Sequence, residues 1–177
     1  LGVVFRALGG DGGLRVEAAE ATEYGAGRRF LQRIAGTGGK VELAWRDEQA
    51  LRLPSVIDWF PDSGLNRELY LWLAALASGA DGVQAPWLDK NQRLVRETLA
   101  RFPGLRNRYR RLVDAHPGLR PTVERLRSDE AEQERVVRAA LREPGSVSEL
   151  PPARRPPYPV PLWLHPAPPG LDTAGPD

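Results

Sequence analysis

Leu65-Asn66-Arg67-Glu68-Leu69-Tyr70-Leu71-Trp72-Leu73-Ala74-Ala75-Leu76-Ala77 is the stretch that decides the fold. Leu65, Leu69, Trp72, Leu73 and Leu76 recur at helical spacing, and Tyr70, Leu71, Ala74, Ala75 and Ala77 fill the remaining faces. A helix that is apolar nearly all round has to be covered on every side, so this segment is expected at the centre of the domain. It falls well short of the roughly 20 apolar residues needed to cross a bilayer, and no membrane insertion is expected.

The elements that could cover it lie on both sides. Downstream, Leu88, Val95, Leu99 and Phe102 fall on one face of a helix that Pro103-Gly104 stops. Leu105, Tyr109, Leu112 and Val113 mark a third helix, ending near His116-Pro117. A fourth is predicted from Ser128, read as its N-cap, with Asp129 and Glu130 in the first turn, Val136, Val137, Ala140 and Leu141 inward, and a stop at Pro144-Gly145. Upstream, Leu1, Val4, Phe5 and Leu8 form a helical stripe closed by Gly9-Gly10, and Leu14, Val16 and Ala18 alternate as a strand. Phe30, Leu31 and Ile34 mark a short helix ended by Gly36. Val41, Leu43 and Trp45 alternate, as do Leu51 and Leu53, with Arg46-Asp47-Glu48-Gln49 between them, which reads as a hairpin. Pro54 and Pro61 bracket Val56, Ile57, Trp59 and Phe60, an apolar loop expected to anchor in the core.

The class is therefore α+β: a mainly helical domain over residues 1–145, with a small antiparallel sheet of about three short strands. Of the 17 prolines, 11 lie between Pro144 and Asp177, so residues 146–177 are expected to run extended, as a linker towards a further domain. Within that linker, Val160, Leu162, Trp163 and Leu164 form an apolar knot that either docks or stays free, with the free tail slightly favoured.

Composition narrows the function classes. The 177 residues contain no cysteine, which removes disulfides, thiolate metal sites and Cys nucleophiles. Methionine is absent too and the chain opens on Leu1, so a piece of a longer protein is expected. Only Lys40 and Lys90 among the 25 basic residues are lysine, a bias that reflects codon composition, and the net charge of +2 sets up no global field for nucleic acid. With no targeting segment visible, a cytoplasmic location is expected.

Motifs that would carry chemistry fail on inspection. Gly36-Thr37-Gly38-Gly39-Lys40 suggests a phosphate loop, but Ile34 stands where its first glycine belongs, Val41 replaces the metal-binding hydroxyl, and the order is helix then strand. The glycines around Asp11 lack the spaced acids of a calcium loop. His116 and His165, the only histidines, have no partner at ligand spacing, and Asp58 and Asp62 are separated by Pro61, so solvation or capping is the plainer role. No nucleophile elbow is present. No catalytic residue, metal ligand or cofactor site is assigned, and no small-molecule substrate is expected.

One charged feature stands out. From Arg101 to Arg127 there are eight arginines against Asp114 and Glu124, and Arg106, Arg110 and Arg111 lie off the apolar stripe of the third helix. They could meet solvent, an acidic protein face or phosphates; the near absence of aromatic residues disfavours single-strand binding. Asp47 and Glu48 in the hairpin turn are the second candidate contact.

Several blocks, in order, resemble one family: Phe5-Arg6-Ala7-Leu8-Gly9-Gly10, Arg29-Phe30-Leu31-Gln32-Arg33-Ile34-Ala35-Gly36, Val41-Glu42-Leu43-Ala44-Trp45-Arg46-Asp47-Glu48, the 65–77 segment, Arg108-Tyr109-Arg110-Arg111-Leu112-Val113, Leu141-Arg142-Glu143-Pro144-Gly145-Ser146-Val147 and Pro161-Leu162-Trp163-Leu164-His165-Pro166. Together they are similar to the amino-terminal region of the NorD family of nitric oxide reductase activation proteins. The resemblance implies a bacterial denitrification protein with a C-terminal von Willebrand factor A domain, working with a MoxR-type AAA+ ATPase on a target metalloenzyme. The similar CbbO proteins serve Rubisco activation. The A domain's Asp-x-Ser-x-Ser motif is absent from this chain, and Asp62-Ser63-Gly64 does not supply it. The leading expectation is thus a non-catalytic adaptor; a basic helical nucleic-acid module and a CbbO-like activator of another metalloenzyme are the alternatives. Calorimetry with ATP, Mg2+ and Zn2+ is expected to show no stoichiometric site, and a micromolar site for any of them would overturn the non-catalytic assignment.

Overall fold

The computed structural model describes residues 2–18, 22–23, 40–41, 43–46, 50–80 and 85–166. Among these, five α-helices appear: α1 (Gly2–Ala7), α2 (Ser63–Ser78), α3 (Trp87–Arg101), α4 (Arg106–Ala115) and α5 (Ser128–Arg142). The strands are β1 (Arg15–Ala18), β2 (Thr22–Glu23), β3 (Lys40–Val41), β4 (Trp45–Arg46) and β5 (Ala50–Leu53). The helix expected around Phe30 to Ile34 lies outside the described residues.

The 65–77 segment is the heart of α2, where Leu69, Trp72, Leu73, Leu76 and Ala77 have at most 1% exposure. Asp62 caps it, accepting from the Gly64 N–H at 2.6 Å, the capping role its sequence position suggested. Helices α1, α3 and α4 pack on α2, while α5 closes over α3 and α4. Gly9 (φ +86) and Gly145 (φ +96) terminate α1 and α5 in the left-handed region, where a side chain is strained. At the start of α5 the expectation is corrected: Ser128 is already helical, Arg127 is the N-cap, and its carbonyl accepts from Ala131 at 2.7 Å. The loop before α2 is anchored by buried Asn66, whose amide oxygen accepts from the Trp59 and Phe60 N–H groups (3.2 and 2.9 Å) and whose nitrogen donates to the Phe60 carbonyl (2.8 Å).

The three-stranded sheet has the order β1-β5-β4 and is mixed, which corrects the antiparallel expectation. β4 and β5 form the antiparallel hairpin, with Trp45 opposite Arg52. β1 runs parallel to β5, Arg15 opposite Ala50 through Ala18 opposite Leu53. A parallel pair needs a long crossover, and residues 19–49 provide one. Inside that crossover β2 and β3 pair with each other, antiparallel, so Lys40–Val41 leaves the hairpin to which alternation had assigned it.

The largest correction concerns the proline-rich segment. Residues 146–166 are no free tail: Val160, Leu162 and Trp163 have no exposure and Leu164 only 4%. Pro161 sits second in a turn that the Trp163 N–H closes on the Val160 carbonyl at 3.0 Å, the position its fixed φ favours. His165 bridges to Trp45, its N–H donating to the Ala44 carbonyl at 2.8 Å, and thereby covers the β4 edge. Proline lacks an N–H and builds no ladder, so the helices supply side-chain donors to the segment's carbonyls. Trp72 Nε1 reaches the Leu162 carbonyl (2.9 Å), Trp87 Nε1 and Asn91 Nδ2 the Leu164 carbonyl (3.0 and 2.9 Å), Gln92 that of Val147 (2.8 Å) and Gln133 that of Pro151 (2.7 Å). Asn91 also accepts from the Leu164 N–H at 2.9 Å. The Trp163 ring packs edge-on against Trp87 at 5.2 Å.

Removing this anchor leaves a large cavity against α2 and α3. Trp163→Ala is expected to cost about 3–5 kcal/mol, measured by urea unfolding, and truncation after Gly145 to cost more. An unchanged melting temperature in either variant would show that the segment does not hold the domain together.

Candidate functional site

The arginines of α4 divide between two faces. Arg106, Tyr109, Arg110 and Val113 follow at i, i+3, i+4 and i+7 and face a groove of about 630 Å³ between α3, α4 and α5. Arg96 enters from α3 and Arg142 from the end of α5, and Leu99, Leu141 and Pro144 complete an apolar floor. Asp114 is the one acid in the lining. Arg111 points elsewhere and forms a forked pair with Glu68 of α2, one arm being Nε to Oε2 at 3.2 Å. That carboxylate holds the exposed Arg111 guanidinium above its ordinary pKa, chiefly through the hydrogen bond. The structure therefore brings Arg106 and Arg110 together and separates Arg111 from them. Asp47 and Glu48 lie outside the described residues.

The groove is built on a rigid base. Tyr109 is buried, packs at a tilt against Trp72 with ring centroids 4.6 Å apart, and donates its hydroxyl to the Leu141 carbonyl at 2.7 Å, tying α4 to α5. Burial raises its phenol pKa, so the group stays a donor. The rim at Pro144 is fixed by Gln92, whose Oε1 accepts from the Gly145 N–H at 2.8 Å. Arg96 lies across Gly145, where an added Cβ would come within 3.1 Å of it.

Not every arginine of the basic stretch is at the surface. Arg120 is buried, donates to both oxygens of Glu134 (Nε to Oε1 3.0 Å; Nη2 to Oε2 2.6 Å) and contacts the carbonyls of Tyr158 and Pro159. Arg138 also donates to Glu134 at 2.7 Å. Sequence reasoning missed this network, along with Arg96 and Arg142; helical spacing marks the exposed face of each helix, but not which exposed faces converge.

The histidines are structural. His165 is buried and its Nε2 accepts from the Val160 N–H at 3.1 Å; burial, aided by nearby Arg120, lowers its pKa from 6.5 to about 3. His116 is buried beside Arg120 and Arg138, and desolvation, followed by those two charges, holds it well below 6.5. Among the described residues no group of three or more His, Cys, Asp or Glu could hold a metal ion. None of the described helices is long and apolar enough to cross a membrane.

Comparison with known proteins supplies the relationship. Protein NorD of Stutzerimonas stutzeri is 46% identical over 94% of this chain. The chain belongs to the NorD family. An uncharacterized protein of Pseudomonas aeruginosa is also 46% identical over 94% of the chain, and Protein NorD of Brucella abortus is 30% identical over 92%. The NorD-family chain spans only 27% of the length of the first two relatives and 29% of the third. No family profile matches it, and no solved structure does.

Because both histidines are neutral when folded but titrate near 6.5 when unfolded, the unfolded state takes up protons first as pH falls. Stability is expected to be flat above pH 7 and to drop below about pH 6.5 by up to ~1.4 kcal/mol per pH unit for each histidine. For His165 the fall continues to about pH 3. Urea unfolding at a series of pH values reads this directly; a flat profile between pH 6.5 and 5 would contradict the buried neutral state.

Proposed function

We propose that this chain is a non-catalytic interaction domain of a NorD-type activator, an adaptor through which a MoxR-type AAA+ ATPase acts on nitric oxide reductase in the cytoplasm. Family membership supports the setting. The observation that carries the adaptor reading is the groove: an apolar floor rimmed by Arg96, Arg106, Arg110 and Arg142, side chains suited to binding a partner and equipped with no nucleophile or acid–base pair. The nucleic-acid alternative has less support, since Arg111 is engaged by Glu68 and Arg120 is buried, which breaks the run of free cations that a phosphate backbone would track.

The test uses the full-length protein. Tagged protein is expected to co-purify with the AAA+ ATPase, and a strain lacking residues 2–166 is expected to accumulate nitric oxide reductase that does not consume nitric oxide. Normal consumption in that strain would remove the reading, and loss of carboxylase activation in its place would favour the CbbO-like alternative.

A further inference from the structure

We propose that the groove between α3, α4 and α5 captures an acidic amphipathic helix presented by a partner protein. The inference deepens the reading of an interaction domain and rests on it for the partner being a protein.

Charge complementarity carries the argument. Several arginines elsewhere on this molecule are paired: Arg52 with Glu17, Arg93 with Glu97, Arg111 with Glu68 and Arg155 with Glu130. Arg96, Arg106, Arg110 and Arg142 are exposed around one cavity, and among the described residues none of them makes an ion pair. With Asp114 as the lone acid, four guanidinium groups converge with an unmet demand for carboxylates, which their planar forks bind in bidentate fashion. Beneath them the floor is apolar and only part-covered: Leu99 and Val113 are partly buried, each packed on the core. A ligand has to offer both chemistries, apolar side chains below and carboxylates at the rim, and about 630 Å³ has room for several side chains.

The backbone around the groove selects a helical ligand. Its lining comes from three helices and the turn at Pro144, with no strand among them. An extended peptide would find no ladder for its amides here, whereas a helix satisfies its own and presents residues at i, i+3, i+4 and i+7. Polyphosphate or nucleic acid would satisfy the arginines but would cover the apolar floor with charge. The base is already rigid through Tyr109 and Gln92, so binding orders little of this chain.

The experiment titrates the full 177-residue chain into a fluorescently labelled peptide of roughly 15 residues, with leucine on one helical stripe and glutamate flanking it. Controls are the same peptide with lysine for glutamate, a scrambled acidic peptide and a duplex DNA oligonucleotide. Micromolar binding of the acidic peptide is expected, with a gain in its helicity by circular dichroism and roughly tenfold weakening between about 50 and 500 mM salt. Arg106→Glu with Arg110→Glu is expected to weaken it at least about tenfold while the melting temperature holds, and Arg111→Glu to change it by less than about threefold. Equal binding of the scrambled peptide, tighter binding of DNA, or indifference to the Arg106 and Arg110 changes would overturn the proposal. Co-purification of the ATPase is scored separately: ATPase association without peptide binding overturns the groove's occupant and leaves the adaptor reading standing, while peptide binding without ATPase association upholds the groove and removes the ATPase.

Discussion

The guanidinium of Arg120 is a charge with no water around it. Its side chain has no solvent exposure, nor in effect does that of Glu134, which receives it. Removing one partner of such a pair leaves an uncompensated charge at a cost of about 3–5 kcal/mol, even though the intact pair adds little net stability. The demand is therefore geometric. Arg120, just after the short 3-10 turn His116–Leu119, has to meet Glu134 on α5 while its remaining donor turns to the carbonyls of Tyr158 and Pro159. Three parts of the chain distant in sequence are held at one point, and Arg138 binds the same carboxylate and the Pro121 carbonyl at 2.8 Å.

The proline-rich segment extends the same logic. A strand of a sheet finds donors and acceptors in its neighbours, but a stretch with so many prolines can reciprocate only at its few non-proline N–H groups, such as those of Leu164 and His165. Here the indoles of Trp72 and Trp87 and the amides of Asn91, Gln92 and Gln133 take the place of a neighbouring strand. Each donor belongs to a helix and is aimed by that helix's packing, so the segment fits only on an assembled bundle. Asp129, at the start of α5, likewise accepts from the Arg154 N–H at 3.1 Å, and this contact chiefly holds its carboxyl below the usual range.

Much of the helical framework was legible in the sequence because apolar spacing and glycine or proline stops are local signals. Leu69, Trp72, Leu73 and Leu76 declared a buried helix, and Gly9 and Pro144-Gly145 its neighbours' ends. The parallel pairing of β1 with β5 was not legible, since alternation sets which face is buried but not which strand lies alongside, or in which direction. Docking of Trp163 was the closer question: an apolar knot among prolines reads equally well as a linker, and only the donors on α2 and α3 decide it. At the groove, the excess of arginine was visible but not its partition, because Arg111 meets Glu68 across 43 residues and Arg96 and Arg142 reach the same cavity from separate helices.

Trp72 donates to a carbonyl 90 residues further along the chain, and that separation bears on how the protein is made. Closing so long a loop is slow compared with forming local helices, and during synthesis α2 emerges well before the residues that will cover it. Until Val160 to His165 arrive, Trp72 and the β4 edge have no lid, a state in which unpaired edges and bare apolar surface invite association with other nascent chains. Residues 160–165 therefore complete the domain's folding as well as its core, and a polypeptide released before them would be a natural client for chaperones.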